Sequence, residues 1–440
     1  MGIVSLIACV FFLFFSVYGE KSKIISPSAL FFSLWTFILV LSNLNLYDIY
    51  TPTFESYFLI FLMLLFFFIG TKISKVLKGK HDFNIKNTNL RLNEPRIKYS
   101  IIYFLSILLI IFTAIDCIIV IKNYSQGIPM STIRRWRMGT YGVDINPILS
   151  RRSFMEEVFR NVILNPFELL LPPLAAYYFF SPEKSKHKYI ILAFSIVSLA
   201  LSSLAGGGGR LGFIYFFGCF FLSFIMNYVK FKNKFDFKKY KKYIIIFMIL
   251  GFFATFIYTQ IRTSSGFIKQ IYTYFALPPT LLSIWLPKIQ NVSHTYGMLT
   301  LFGFHSYFFR VFQTLGMDFF VPDIYNTAYQ YLLDAEIFYK TGYGVGNAFV
   351  TPVYYFYLDG GYFFVCFASF IFGILCNNFY VKFINNLNVK NFLYYCLLMY
   401  GVFLTFIRIQ TVIPSYIISF VMVAFFFKRV EAEKMEETKE

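Results

Sequence analysis

The chain has 440 residues, of which 58% are hydrophobic and 14% charged, with a mean hydropathy of +0.62; too little of it is polar to cover a soluble globular domain, so lipid must be its solvent. Its formal net charge of +18 would point to nucleic acid in a soluble protein, but here the lysines crowd the ends of apolar runs, where they orient a chain in a membrane. The runs are about 16 to 21 residues long, the length of a spanning helix, and do not alternate as the strands of an outer-membrane barrel do. The expected fold class is an all-α polytopic membrane protein of about eleven spanning helices.

In chain order, spans are expected at Ile3 to Tyr18, Ala29 to Leu46, Phe54 to Gly70, Ile101 to Ile121, Val162 to Phe180, Tyr189 to Leu204, Leu211 to Val229, Tyr243 to Tyr258, Gly360 to Tyr380, Phe392 to Ile407 and Thr411 to Phe427. The first lacks a basic n-region and a small-residue cleavage site, and reads as a retained helix. The basic connections Lys72 to Lys98, Lys184 to Lys188, Lys230 to Lys242 and Lys382 to Lys390, and the tail from Lys428, all fall on one side when spans are counted off. That side is the cytoplasmic one, which leaves the N-terminus outside and the C-terminus inside. The chain thus divides into the first four helices (1–121), an arginine-rich external loop (122–161), helices five to eight (162–260), a large external loop (261–359), the last three helices (360–427) and a cytoplasmic tail (428–440). Within the large loop the half-apolar stretch Leu301 to Phe320, interrupted by His305, Arg310 and Asp318, reads as an interfacial or re-entrant helix, with a twelfth span as the alternative.

The two kinds of cation separate. Outside in this topology are only Lys122, Lys269, Lys288 and Lys340 among the lysines, but Arg134, Arg135, Arg137, Arg151, Arg152, Arg160, Arg210, Arg262, Arg310 and Arg408 among the arginines. A planar, permanently charged guanidinium binds phosphate oxygens bidentately, so an outward cluster set against the positive-inside tendency suggests an anionic ligand there, such as a lipid pyrophosphate. The bland alternative is contact with lipid headgroups or local carboxylates. Ala205, Gly206 to Gly209 and Arg210 form a tight external turn in which Gly208 and Gly209 would let backbone amides approach an anion at a helix start; a plain hairpin is the equal alternative.

Asp116 and Glu168 sit inside apolar runs and Asp359 stands just before one. A charge in a membrane run is costly, so each is expected to pair with an arginine, position a sugar hydroxyl or act as a base, and Asp359 is also a candidate N-cap. His294 and His305 are the histidines of the outer loop, and His305 is the candidate for a direct role. Tyr354, Tyr355, Phe356 and Tyr357 are candidates for stacking on sugar rings, Tyr355 foremost, with marking of headgroup depth as the bland alternative. The six cysteines lie in apolar runs and carry neither a disulfide framework nor metal spacing.

The plan of about eleven helices with two external loops, the turn Ser203, Leu204, Ala205, Gly206 to Gly209, Arg210, Leu211, Gly212, and the segment Gly346, Asn347, Ala348 through Tyr355 to Asp359, Gly360, Gly361 together resemble the Wzy-type oligosaccharide repeat-unit polymerases of bacterial O-antigen and capsule assembly. The resemblance implies a GT-C-like fold in the bacterial inner membrane and a metal-independent glycosyltransferase with no cofactor. It implies undecaprenyl-pyrophosphate-linked oligosaccharide as substrate and a chain-length-determinant membrane protein as a further partner. The growing glycan would pass from its lipid pyrophosphate to the non-reducing end of another lipid-linked unit. Arginines would stabilise the departing diphosphate: Arg210 and Arg262 first, then Arg408, Arg310 and the group Arg134, Arg135 and Arg137. The alternatives are a flippase for lipid-linked oligosaccharide and an O-antigen ligase. The sequence leaves open the sugars, the linkage, O-antigen against capsule, and the general base.

Overall fold

The computed structural model describes the chain except for residues 19–23, 78–96, 131, 134–151, 182–185, 207–208, 231–240, most of 244–265, 343, 347–348 and 428–440. The architecture is all-α. Among the described residues, eight helices are long and apolar enough to cross a membrane. They include α2 (Pro27–Leu44), α3 (Phe54–Leu77), α4 (Tyr99–Ser125), α7 (His187–Ala205) and α8 (Leu211–Lys230). The others are the composite Phe154–Phe180, α12 (Thr351–Asn385) and Val389–Phe406, which contains α13 (Val389–Phe403). Two shorter apolar helices, α1 (Gly2–Tyr18) and α14 (Pro414–Phe425), match the expected first and last spans but fall below that length. The expected span Tyr243 to Tyr258 lies largely outside the described residues, as does the tail 428–440.

The composite span changes its winding part-way. α5 (Phe154–Phe159) runs into a π-helical turn, Arg160–Leu164, and then into α6 (Asn165–Phe180). Pro166 explains the widened turn: it has no N–H to give and its ring would collide with the carbonyl four residues back.

The expected external loop 261–359 is largely helical. It contains α9 (Phe267–Ile289), α10 (Phe302–Thr314), α11 (Asp323–Asp334) and a small hairpin pairing Tyr339–Lys340 with Val345–Gly346. α9 lies across one end of the bundle. Tyr272 bonds the Leu41 carbonyl and the Leu46 amide at the end of α2, Thr280 donates to the Tyr50 carbonyl, and Ser56 at the start of α3 donates to the Pro279 carbonyl.

α12 begins nine residues earlier than expected, and it is broken. Gly360 (φ 177°, ψ 39°) and Gly361 (φ 61°, ψ −150°) leave helical geometry, the latter in a region that favours glycine. The carbonyls freed at the break are taken by the segment before α10: Thr295 N–H donates to Leu358 O at 3.0 Å and Tyr296 N–H to Asp359 O at 2.9 Å. A broken helix is tolerated in a membrane when other groups satisfy its backbone in this way. Beyond the break, α12 packs on α3 at backbone distance. A Cβ on Gly373 would lie 2.3 Å from the Phe67 carbonyl oxygen, and one on Gly70 2.2 Å from that of Phe370.

Inter-helix bonds show which ends meet. Lys98 N–H donates to Phe426 O, Tyr380 and Tyr395 donate to the carbonyls of Ile24 and Ile25, and Lys230 reaches Tyr177. At the opposite end Thr351 N–H donates to Ile407 O and Thr411 to Thr300 O. Described lysines of the basic connections, among them Lys72, Lys75, Lys98, Lys186, Lys188, Lys230, Lys382 and Lys390, lie toward the first end, and Arg152, Arg160, Arg210, Arg310 and Arg408 toward the second. The cation separation expected from sequence is thus a separation between two ends of one bundle.

Candidate functional site

Two of the sequence-nominated arginines are held by residues from the long segment between the eighth and ninth expected spans. Arg408 stands just past Phe406, where the chain leaves α13 through 3-10 turns at Leu404–Phe406 and Gln410–Val412. Its Nη2 donates to Glu336 Oε1 at 2.5 Å, and the two side chains remain 18% and 21% exposed. Burial opposes the guanidinium charge, but the neighbouring Tyr355 hydroxyl and Glu336 carboxylate more than offset it and raise the pKa above its ordinary value. Tyr355, from the first half of α12, is wholly buried, and its hydroxyl has no hydrogen-bond partner among the described residues.

Arg210 opens α8. The glycine turn before it is drawn in by Ser203, whose hydroxyl donates to Gly209 O at 2.9 Å. Arg210 Nη1 donates to Gln270 Oε1 at 3.2 Å and Nη2 to the Tyr274 hydroxyl at 3.0 Å, with the guanidinium carbon 4.9 Å from the Tyr274 ring centre. Ring contacts run from Tyr274 to Phe349 (5.2 Å) and from Phe349 to Phe406 (5.9 Å), so the two arginines bound one aromatic cluster.

Glu168, near the start of α6, is linked to Arg408 through a second set of tyrosines. The carbonyl of its neighbour Leu169 accepts from Tyr215, whose ring stands 4.6 Å from that of Tyr400, and Tyr400 is within electrostatic reach of both Glu168 and Arg408. Glu168 is half-buried and has no hydrogen-bond or ion-pair partner among the described residues.

The chain matches no protein-family model, no curated protein and no solved structure.

The remaining nominated residues have other surroundings. Arg310 donates to the Tyr329 hydroxyl at 3.3 Å, lies over that ring at 5.3 Å and pairs with Glu157 at 3.5 Å. His305 packs edge-on against Phe302, Phe309 and Tyr325, with Nε2 on the Met298 carbonyl at 2.9 Å and Nδ1 buried without a partner among the described residues. Burial lowers its pKa, only partly opposed by the Met298 carbonyl and Asp359, so the ring favours its neutral form. Asp359 is wholly buried. Its Oδ1 accepts from Thr295 Oγ1 (2.5 Å), Gly297 N (2.9 Å) and Leu299 N (3.1 Å), and Oδ2 from Thr300 N (2.9 Å). The geometry gives this carboxylate a structural task, which is to clamp the turn leading into α10. It is not the N-cap of α12, which begins eight residues before it.

Asp116 is paired, as a buried charge requires. Its Oδ2 accepts from Arg152 at 2.6 Å and Arg160 at 2.8 Å, and Arg160 also reaches Glu156 at 2.9 Å. Arg134, Arg135, Arg137, Arg262 and Gly208 lie outside the described residues. Among the described residues no group of three or more His, Cys, Asp or Glu side chains is placed to hold a metal ion. A groove of about 610 Å³ between α3 and α12, lined by Phe66, Ile69, Phe363, Cys366, Phe367 and their neighbours, is wholly apolar. It offers hydrocarbon contact and no chemistry. Sequence reasoning missed Glu336, Gln270, Tyr274, Tyr215 and Tyr400, because nothing in local spacing ties them to the arginines they meet.

Proposed function

We propose that this protein is a membrane glycosyltransferase that polymerises lipid-linked glycan repeat units, drawing a diphosphate-bearing carrier to the arginine end of the bundle. The observation that supports this most is that Arg210 and Arg408 stand at the end opposite the lysines of the basic connections, while Glu168, which has no hydrogen-bond or ion-pair partner among the described residues, shares Tyr400 as a neighbour with Arg408. In this reading that end faces away from the cytoplasm. The acceptor hydroxyl oxygen bonds to the anomeric carbon of the growing glycan. The bond from that carbon to the carrier diphosphate breaks with its electron pair passing to the diphosphate oxygen, and the hydroxyl proton passes to Glu168.

Charge grows on the diphosphate as it leaves, and guanidinium groups already fixed in a partly dehydrated site stabilise it without reorganisation. Arg408 exchanges Glu336 for the diphosphate. Of the three membrane-run carboxylates, Asp116 is neutralised by two arginines and Asp359 is saturated by four donors, which leaves Glu168 for proton transfer. Undecaprenyl as the carrier and O-antigen or capsule as the product belong to the same proposal, on the strength of the sequence resemblance.

The test is a glycan-length ladder from cells carrying variants in place of the parent gene. Arg408→Ala and Arg210→Ala are expected to lower chain extension about 10²–10³-fold, the range seen when one charge-stabilising donor is removed, at unchanged protein level in the membrane. Arg→Lys is expected to rescue poorly, since an ammonium lacks the planar fork. Normal polymer from both alanine variants overturns the reading. Loss of the gene separates the alternatives: a polymerase leaves single repeat units on the acceptor, a flippase leaves no exported unit, and a ligase leaves polymer on its carrier.

A further inference from the structure

α10 carries an apolar stripe that no described residue covers. Phe304, Phe308, Val311 and Leu315 are 62%, 62%, 44% and 64% exposed. At about 100° per residue, the spacing of 3.6 residues per turn, they fall within an arc of about 60°. The stripe continues into the 3-10 turn Asp318–Phe320, where Phe319 is 95% and Phe320 58% exposed. The opposite side of the helix is spoken for: Phe302 and Ser306 are buried, and Phe302 stacks on Tyr325 and Tyr329 of α11. A contiguous run of six large apolar side chains exceeds the few hundred Å² of such surface that a water-facing protein exposes.

Its occupant can be read from what flanks it. Gly303 lies directly on the chain that leads into α14, where an added Cβ would be 2.5 Å from Thr411 O and 2.9 Å from Ile413 O. α10 therefore sits at the level where a membrane-inserted apolar helix begins. Further along, toward the lysine end, α14 turns Val421 (56% exposed) and Phe425 (64% exposed) outward, the face of a helix that meets lipid. α11, on the far side of α10, exposes Asp323, Asn326 and Gln330, a face suited to water. With 13 residues, α10 is about 20 Å long, against the roughly 30 Å of a hydrocarbon core.

We infer that α10 and its following turn lie flat in the membrane interface at the arginine end, with Phe304, Phe308, Val311, Leu315 and Phe319 sunk among the acyl chains and α11 held above them in water. The partner is the lipid surface itself. This helix sets the depth of the whole long segment, and with it the height of Arg310, which α10 carries on its non-lipid side. The inference stands apart from the proposed chemistry.

The test uses the full chain in nanodiscs of phosphatidylcholine with a fraction of lipid brominated at a defined acyl depth. Tryptophan is introduced singly as Phe308→Trp, Phe319→Trp and, on α11, Asn326→Trp, and the emission of the parent chain is subtracted. At positions 308 and 319 the added emission is expected to fall severalfold with lipid brominated near the headgroup, less with bromine near the bilayer midplane, and little with aqueous iodide. Position 326 is expected to respond to iodide and not to brominated lipid. Iodide quenching at both 308 and 319 without lipid quenching overturns the inference in favour of a protein-docking or water-facing stripe. Stronger quenching from the midplane overturns it in favour of a re-entrant helix.

Discussion

Asp359→Asn is the substitution that most sharply separates a structural carboxylate from a chemical one. The wild-type group has four donors on two oxygens, three of them backbone amides. An amide has one oxygen. Placed where Oδ1 stands, it keeps three donors at reduced strength and turns its NH2 toward the Thr300 N–H, so one charge-assisted bond is lost and two buried donors face each other. A hydrogen bond to a charged group contributes about 1.5–3 kcal/mol, and an unsatisfied buried donor costs about 1–3 kcal/mol, together about 2.5–6 kcal/mol. At 1.4 kcal/mol per tenfold, hydrogen-exchange protection at the amides of Gly297, Leu299 and Thr300 is expected to fall by about 10²–10⁴-fold, up to the limit set by global unfolding. The exchange is followed by mass spectrometry on protein in nanodiscs, with the glycan ladder as the activity readout. Unchanged protection together with abolished chain extension would falsify the structural role, and Asp359 would return to the list of groups that meet substrate.

Three further outcomes follow from the packing and the titrating groups. Gly373→Ala and Gly70→Ala each force a Cβ to within 2.3 Å of a backbone oxygen on the facing helix, so each is expected to lower the thermal midpoint in detergent by several degrees, while Gly218→Ala, with open space around it, is expected to leave it unchanged. Gly361→Ala meets no neighbour nearer than 3.9 Å but requires φ of +61°; a loss of about 1–3 kcal/mol from backbone strain alone is expected in denaturant titration, and an unchanged midpoint would contradict it. His305 has its pKa lowered by burial, so the unfolded chain binds its proton more readily. Its contribution is fully present above the ordinary imidazole value of about 6.5 and is lost as pH falls through the lowered folded value. His305→Gln is therefore expected to flatten the fall in thermal midpoint between about pH 7 and pH 5, and an unaltered pH slope would count against that assignment.

The parts legible in the sequence were those set by length and charge. Runs such as Leu211 to Val229 and Ile101 to Ile121 return as helices at nearly the same bounds because nothing competes with the need to satisfy backbone groups in lipid. Pairing of Asp116 was legible as a necessity, though not the identity of Arg152 and Arg160 as its partners. α9 was hidden because Pro278, Pro279 and Pro287 break the helical pattern and lower the hydropathy, while tertiary bonds from α2 and α3 hold it helical. The first half of α12 was hidden because Asp359, Gly360 and Gly361 read as the start of a span, whereas they are its midpoint break. Glu336 meets Arg408 across 72 residues of sequence, and no periodicity in either segment announces such a contact.

The π-helical turn at Arg160–Leu164 has a consequence for how the composite span serves two neighbours. A turn closed by five residues where four would do carries one residue more, so everything after it is rotated by about 100° relative to an uninterrupted helix. Before the insertion, Arg152, Glu156 and Arg160 share the clasp on Asp116; after it, Glu168 looks toward Tyr400. The extra residue is thus a phase adjuster. Deleting Val162 would leave the clasp in register and swing Glu168 round the barrel of its helix, away from the tyrosine it now addresses.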